Sequence, residues 1–179
     1  MSYCTFVHSL KEGISVEHKI YHDTQYGFPI ENDDELFGRL ILEINQAGLS
    51  WTTILKKSEN FRRAYDNFSI AKIAKYSDSD FNRLMCDSGI IRNRLKIQAA
   101  NHNAIVISSI QNEYGSFKSW LDNHKTLEKT EWIKLFKKHF KFTGGEIVNE
   151  FLMSTGYLSG AHDEDCWVYK KICEINKKL

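Results

Sequence analysis

Residues that break secondary structure are scarce in this chain, which has one proline and ten glycines among 179 residues. A fold of many short strands needs more of both, because tight turns depend on them. No stretch alternates apolar and polar residues with the period of two that is typical of a half-buried strand. Hydrophobic residues make up 42% of the chain, which is enough for a core. The sequence therefore predicts an all-α fold and a single domain over residues 1–179.

Membrane and secretion signals are not visible in the sequence. No apolar run approaches the roughly 18 residues that span a bilayer. The first residues lack the basic-then-apolar pattern of a secretory signal. Four cysteines in such a chain favour metal binding or inert thiols over disulfides. We expect a cytoplasmic protein with no membrane partner.

Charge is distributed unevenly, although the net charge is only +1. Residues 36–141 hold 18 basic and 10 acidic side chains, whereas residues 142–166 hold five acids and no base. Residues 1–35 hold 2 basic and 7 acidic side chains. A basic central block between acidic ends fits a protein with one positively charged face. A solvated, lysine-rich surface is the alternative.

Apolar spacing and capping residues predict the individual helices. An apolar stripe of period 3.6 after Asn32 predicts a helix over about 33–47, closed by Gly48. Ser77, with Asp80 three residues later, resembles a capping box and predicts a helix that Gly89 ends. Other helices are expected over about 51–57, 60–66, 70–75, 92–110 and 147–155, with two more starting at Ser116 and Thr130.

Four Cys and His residues near the two chain ends are candidate metal ligands. His162 and Cys166 are four residues apart, which would place both on one face of a helix. A closed tetrahedral zinc site needs two more ligands. Cys4 and His22 are candidates, and the remaining cysteines and histidines compete with them. On spacing alone, unrelated buried cysteines and surface histidines are the alternative.

Glu43 lies at the margin of the apolar stripe predicted over 33–47, where a carboxylate is costly unless it is hydrogen-bonded. Trp51 follows shortly after, and Tyr21 and Tyr26 precede it. An acid among ring faces would suit a flat, electron-poor or cationic ligand. A capped glutamate at a helix rim, with the aromatic residues in the core, is the alternative.

The segment over about 78–110 predicts a helix, a tight glycine turn and a second helix. Amides at the start of a helix bind phosphate readily, and Arg92, Arg94 and Lys96 lie beside this turn. The arrangement has the shape of a helix-hairpin-helix DNA-backbone motif, without its usual second glycine. Any pair of helices joined by a short turn is the alternative.

Taken together, these residues resemble the 3-methyladenine DNA glycosylase I (Tag) family over nearly the whole chain. The resemblance is carried by residues 21–23, 42–51, 88–94, 96–99, 140–142 and 162–166, of which 42–51 is the most specific. It implies a helix-hairpin-helix DNA glycosylase fold with one structural zinc ion joining the two termini. It also implies a monomeric enzyme that flips 3-methyladenine out of alkylated double-stranded DNA, hydrolyses its N-glycosidic bond and releases the free base.

The resemblance assigns roles by position. Glu43 matches the acid that hydrogen-bonds the excised base and is the catalytic candidate. The expected base-binding residues are Phe6, Tyr21, Tyr26 and Trp51. The expected zinc ligands are Cys4, His22, His162 and Cys166. The expected DNA-binding residues are Gly48 and Leu49, which plug the gap in the duplex, and Gly89, Ile90, Ile91, Arg92, Arg94 and Lys96 at the hairpin.

The chain departs from the family pattern at Phe6 and Tyr26, where family members usually carry tryptophan, and at Glu146, which adds an acid. Three other functions are open. One is a DNA-binding module of the same fold with weak or no catalysis. Another is a zinc hydrolase with Glu43 as general base, which the closed two-Cys, two-His set disfavours. The last is a structural protein with Glu43 and the aromatic residues in its core.

Overall fold

The computed structural model describes residues 2–11 and 13–177. These residues form helices and no strand, which confirms the all-α prediction. The α-helices are, in chain order, α1 (Tyr3–Ser9), α2 (Val16–Thr24), α3 (Asp33–Gln46), α4 (Trp51–Ala64), α5 (Ile70–Ile73), α6 (Asp78–Cys86), α7 (Arg94–Tyr114), α8 (Phe117–Asn123), α9 (Lys129–His139), α10 (Gly145–Ser154) and α11 (Trp167–Asn176). None of the described helices is long and apolar enough to cross a membrane.

The chain divides into two compact units. The terminal unit comprises Met1–Pro29 and Leu152–Leu179, and therefore contains α1, α2, α11 and the last turn of α10. The central unit comprises Ile30–Phe151 and contains α3 to α9 and most of α10. Both ends of the sequence belong to the terminal unit, so candidate metal ligands from both ends fall in the same unit.

Helix α3 is the buried element of the central unit. Its N-cap is Asn32, whose Oδ1 accepts the Glu35 amide at 3.1 Å. The two carboxylate oxygens of Asp33 accept the amides of Phe117 and Lys118 at 2.8 and 2.9 Å, which caps α8 and ties it to α3. The predicted apolar stripe is at most 1% exposed and consists of Leu36, Phe37, Leu40, Ile41 and Ile44.

A close approach explains the glycine in the middle of α3. The ring of Phe68 lies against Gly38, where a Cβ atom would overlap it. Phe68 ends a three-residue turn, Asp66–Phe68, whose φ angles of 50–60° are all left-handed. Tyr76 donates its hydroxyl to Asp66 Oδ2 at 2.7 Å and so holds this strained turn in place.

Several predicted boundaries shift in the structure. The capping box of Ser77 and Asp80 is confirmed and opens α6, but α6 ends at Cys86 rather than at Gly89. The two pieces expected over 51–57 and 60–66 form the single helix α4. Helix α7 begins after an Asn93 cap and is longer than predicted. Helices α1, α2 and α11 were not predicted.

Candidate functional site

Four buried side chains of the terminal unit bring their donor atoms together. The Sγ atom of Cys4 lies 3.3 Å from Nε2 of His22 and 3.4 Å from Nδ1 of His162. The Sγ atom of Cys166 lies 3.8 and 4.0 Å from the same two nitrogens. All four donor atoms lie within 4.8 Å of one another. This cluster could hold a metal ion, and its members are the four residues that the family resemblance implies as ligands.

The second nitrogen of each histidine faces an oxygen. Nδ1 of His22 lies 2.7 Å from Oδ1 of Asp23, and Nε2 of His162 lies 2.7 Å from the carbonyl oxygen of Tyr26. Because these oxygens accept hydrogen bonds, each outer nitrogen carries the proton and the inner nitrogen keeps its lone pair. Burial also lowers the pKa of His162, which favours its neutral form. Both imidazoles are therefore prepared as metal ligands.

The Cys4 thiol needs a nearby positive charge to ionise at neutral pH. Burial raises the pKa of the Cys4 thiol to about 11, so the thiol is protonated at neutral pH unless a positive charge is bound beside it. The Asp163 amide donates to Cys4 Sγ at 3.4 Å, which further stabilises negative charge on the sulfur. A divalent metal ion bound by the cluster would supply such a charge.

The local structure around His162 and Cys166 differs from the prediction. The two residues lie in a turn rather than on a helix, because α11 begins only at Trp167. The Cys166 amide donates to the carbonyl oxygen of Asp163 at 2.9 Å and closes this turn. The turn, and not a shared helix face, therefore brings the side chains of His162 and Cys166 close together.

The aromatic candidates of the terminal unit are buried or half-buried. The rings of Tyr21 and Tyr26 lie 5.6 Å apart and are 3% and 7% exposed. Phe6 is half-buried and contacts His18 at 5.2 Å between ring centroids. Tyr3, which the sequence did not single out, lies between them, at 5.2 Å from Tyr26 and 6.2 Å from Phe6. Burial raises the pKa of its phenol. Only spatial contact reveals Tyr3, since no spacing pattern marks it.

Glu43 of the central unit is buried on α3 and is 5% exposed. Helix α3 packs on α4, which begins at Trp51 after a Ser50 cap. The Ser50 hydroxyl accepts the Thr53 amide at 3.3 Å. A carboxylate is costly to bury, so Glu43 is not a solvated surface residue, which excludes one reading of its place at the margin of the apolar stripe.

The chain between α3 and α4 forms a tight exposed turn. The Leu49 amide donates to the carbonyl oxygen of Gln46 at 2.7 Å. Ala47 has φ −51° and ψ 118°, and Gly48 has φ 81°, which are the angles of a type II turn with glycine at its third position. Leu49 is 39% exposed, so this turn presents an aliphatic side chain at the surface.

The turn between α6 and α7 is held by internal hydrogen bonds. The Gly89 amide donates to Oδ1 of Asp87 at 2.7 Å, and the Ile90 amide donates to the Asp87 carbonyl oxygen at 3.4 Å. Lys57 donates to the carbonyl oxygens of Ser88 and Gly89 at 3.0 and 3.2 Å. The sequence suggested that the amides of Gly89 and Ile90 bind phosphate. In the structure both amides instead donate to Asp87 within the turn. Arg92 and Arg94 are exposed next to them.

Lys96 is also placed differently from the expectation. Its side chain is 4% exposed, and its Nζ donates to the carbonyl oxygens of Asn45 and Ala47 at 2.9 and 2.7 Å. An ammonium group that is buried and bonded in this way is turned away from solvent. Lys96 is therefore not a phosphate contact.

Comparison with known proteins gives consistent results. The model of the methyladenine glycosylase family matches residues 13–133. DNA-3-methyladenine glycosylase of Haemophilus influenzae is 34% identical to this chain, over 82% of this chain and 89% of that protein. DNA-3-methyladenine glycosylase 1 of Escherichia coli is 34% identical, over 83% of this chain and 89% of that protein.

Solved structures match over a similar extent. A Tyr-to-Phe variant of 3-methyladenine DNA glycosylase I in complex with 3-methyladenine aligns with a TM-score of 0.82 and 32% identity, covering 94% of this chain and 97% of that one. The 3-methyladenine DNA glycosylase I of Staphylococcus aureus aligns with a TM-score of 0.79 and 31% identity, covering 88% of this chain and 93% of that one.

The helical fold and these alignments define the class of protein, an all-α DNA glycosylase. The chain belongs to the methyladenine glycosylase family.

Proposed function

We propose that this chain is a base-excision repair enzyme that hydrolyses the N-glycosidic bond of 3-methyladenine in alkylated DNA. The observation that carries the proposal is its 34% identity to two DNA-3-methyladenine glycosylases over more than four fifths of its length. The buried carboxylate of Glu43 provides an acceptor of the kind that an alkylated adenine can use.

The substrate itself determines what the enzyme must do. An adenine alkylated at N3 is cationic, so its glycosidic bond is already weak and little acid catalysis is required. The main task is to extrude the nucleotide from the stack and to bind the base more tightly as its bond breaks. A binding group for the departing base is therefore more important than a strong acid.

Glu43 is suited to that task. Its carboxylate would accept N–H bonds from the adenine edge, and such bonds are strong where water is excluded. A base that presents an acceptor at the same edge would be repelled, which provides selectivity. Trp51 is proposed to stack on the base. Phe6, Tyr21 and Tyr26 are proposed as further stacking residues on the basis of the sequence resemblance.

The DNA contacts are proposed for two places in the central unit. The exposed Leu49 on its type II turn would fill the gap that the flipped nucleotide leaves. The exposed Arg92 and Arg94, together with the backbone of Ile91, would hold phosphates near the turn between α6 and α7.

We propose zinc as the metal of the Cys4–His22–His162–Cys166 cluster. Bonds of about 2.3 Å to sulfur and about 2.0–2.1 Å to nitrogen place the donors of a tetrahedral zinc ion roughly 3.3–3.8 Å apart. The sulfur–nitrogen separations in the cluster are 3.3, 3.4, 3.8 and 4.0 Å, so three of the four fall in that range and the fourth exceeds it by 0.2 Å. Four protein ligands leave no position for a reacting water, so the ion would serve structure rather than hydrolysis.

The test of the proposed function is direct. The purified chain is incubated with DNA methylated by a simple alkylating agent, and the released bases are separated by chromatography. We expect free 3-methyladenine to appear with the native chain and not with a heat-denatured sample. DNA binding without release of any base would favour a DNA-binding module of the same fold instead.

A further inference from the structure

We infer that Lys96 is a positioning residue that fixes the turn carrying Leu49 in the shape that enters DNA. The inference rests on the proposed function, because it assigns a part in base flipping to a buried group outside the base-binding residues. It begins from an unusual placement, a lysine that is 4% exposed within a basic block.

The end of α3 needs a partner of this kind. The last carbonyl groups of a helix have no N–H donors within the helix itself, and the partial negative charge at that end attracts a cation. Two such oxygens, on Asn45 and Ala47, accept from Lys96 Nζ at 2.9 and 2.7 Å. The residues of the exposed turn follow immediately, so the ammonium group holds the base of that turn.

The positive charge of Lys96 strengthens its hydrogen bonds to the carbonyl oxygens of Asn45 and Ala47. Burial lowers the pKa of Lys96, which shows that desolvation opposes its charged form. The two carbonyl oxygens offset that cost, and the ring of Phe142 lies 5.8 Å from Nζ and adds a face that attracts positive charge. A side chain that merely filled the core would not need a charge.

The position of Lys96 on α7 links two parts of the proposed DNA-binding surface. Its own amide donates to Oδ1 of the Asn93 cap at 3.2 Å, in the first turn of α7. Arg94, one of the proposed phosphate contacts, is in the same helical turn. Lys96 therefore connects the residues that would hold the backbone to the turn that would open the stack. A displacement of about 1 Å at such a turn can reduce a rate by about 100-fold.

The experiment measures two affinities for each variant. One is for free 3-methyladenine, and the other is for a duplex with a stable abasic analogue, whose gap Leu49 would fill. We expect Lys96→Met to weaken binding to the abasic duplex by about 10- to 100-fold while leaving binding of the free base unchanged. Lys125→Met, which removes one exposed positive charge elsewhere, is the matched control and should bind both as the native chain does.

A double-mutant cycle separates positioning from independent contact. If Lys96 acts through the turn, Lys96→Met should weaken abasic-duplex binding far less in a Leu49→Ala background than alone. Full additivity would overturn the inference. The inference would also be overturned if Lys96→Met reduced the salt dependence of DNA binding by about one phosphate contact, because Lys96 would then touch the DNA directly. Native affinity of Lys96→Met for the abasic duplex would overturn it as well. Covalent trapping of native chain on abasic DNA by borohydride, lost in Lys96→Met, would also overturn it, because Lys96 would then be a nucleophile.

A second variant covers the case in which Lys96→Met does not fold. If Lys96→Met does not fold by circular dichroism, Lys96→Gln is measured in the same way, since it keeps an N–H donor without the charge. A native chain that neither binds nor releases 3-methyladenine would refute the proposed function. The abasic-duplex measurement would still report on Lys96 in that case.

Discussion

The Nδ1 atom of His22 lies 2.7 Å from Oδ1 of Asp23, on the side of the ring opposite the two thiols. A carboxylate in this position fixes the ring and makes the inner nitrogen more basic. We expect Asp23→Asn to weaken zinc binding by about 10- to 100-fold, the usual effect of removing such a partner. Competition with a zinc chelator of known affinity measures the change, and unaltered affinity would contradict the assigned role.

Loss of a direct ligand should have a larger effect. We expect the native chain to carry stoichiometric zinc, and Cys4→Ser to lose it and to melt at a lower temperature, because a structural metal contributes to folding stability. Cys86→Ser, at an exposed cysteine of the central unit, is the control and should keep its metal. Elemental analysis and calorimetry give both quantities. A metal-free Cys4→Ser chain of native stability would exclude a structural metal.

Gly48 has a φ of 81° at the third position of its turn, and a Cβ atom there would meet no atom within 4 Å. The cost of Gly48→Ala is therefore that of left-handed backbone alone, about 1–2 kcal/mol. Gly144→Ala is a matched control, because its Cβ atom would also meet nothing and its φ is not left-handed. Urea denaturation of both variants measures the difference in the free energy of unfolding. Equal values would contradict the expected cost of a left-handed φ at position 48.

Arg62 donates to both oxygens of Glu35 at 2.7 Å and holds the pKa of that carboxyl below its usual value of 4.5. Because the folded-state pKa is the lower one, the pair stabilises the fold above the unfolded-state pKa and loses this effect as the pH falls through the folded-state pKa. We expect the native chain to be more stable than Glu35→Gln at pH 7, by a small amount since both side chains are partly exposed.

That stability difference should shrink as the pH is lowered below about 4.5. Unfolding curves at a series of pH values measure it, with Glu113→Gln at an exposed site as control. A difference that stays constant down to pH 3 would show that the ion pair does not contribute.

Much of the fold could be predicted because its signals are local. The apolar stripe of α3 and the capping box of α6 lie within a few neighbouring residues, and both are present in the structure. Helices α1, α2 and α11 are short and were not predicted. Some of their buried residues pack against partners that lie far away in the sequence, since Val168 of α11 shares one buried cluster with Cys4 of α1.

The candidate site could also be predicted only in part, where its signals are local in the sequence. Residue types and spacing offered Cys4 and His22 only as candidates beside other cysteines and histidines, and the family resemblance selected the four that the structure brings together. The His162–Cys166 segment is a turn, which a four-residue spacing does not distinguish from a helix. Lys96 looked like a phosphate contact because a basic residue beside a glycine turn usually is exposed. Its inward direction depends on the end of α3, some fifty residues earlier, and on no pattern near Lys96 itself.

The central claim is that the carboxylate of Glu43 binds the excised base, and the most direct measurement is the affinity for free 3-methyladenine. We expect Glu43→Gln to weaken binding by about 1–3 kcal/mol, the cost of leaving a buried polar group unmatched, and to slow excision correspondingly. Glu113→Gln should bind as the native chain does. Native affinity and native excision rates in Glu43→Gln would contradict the account.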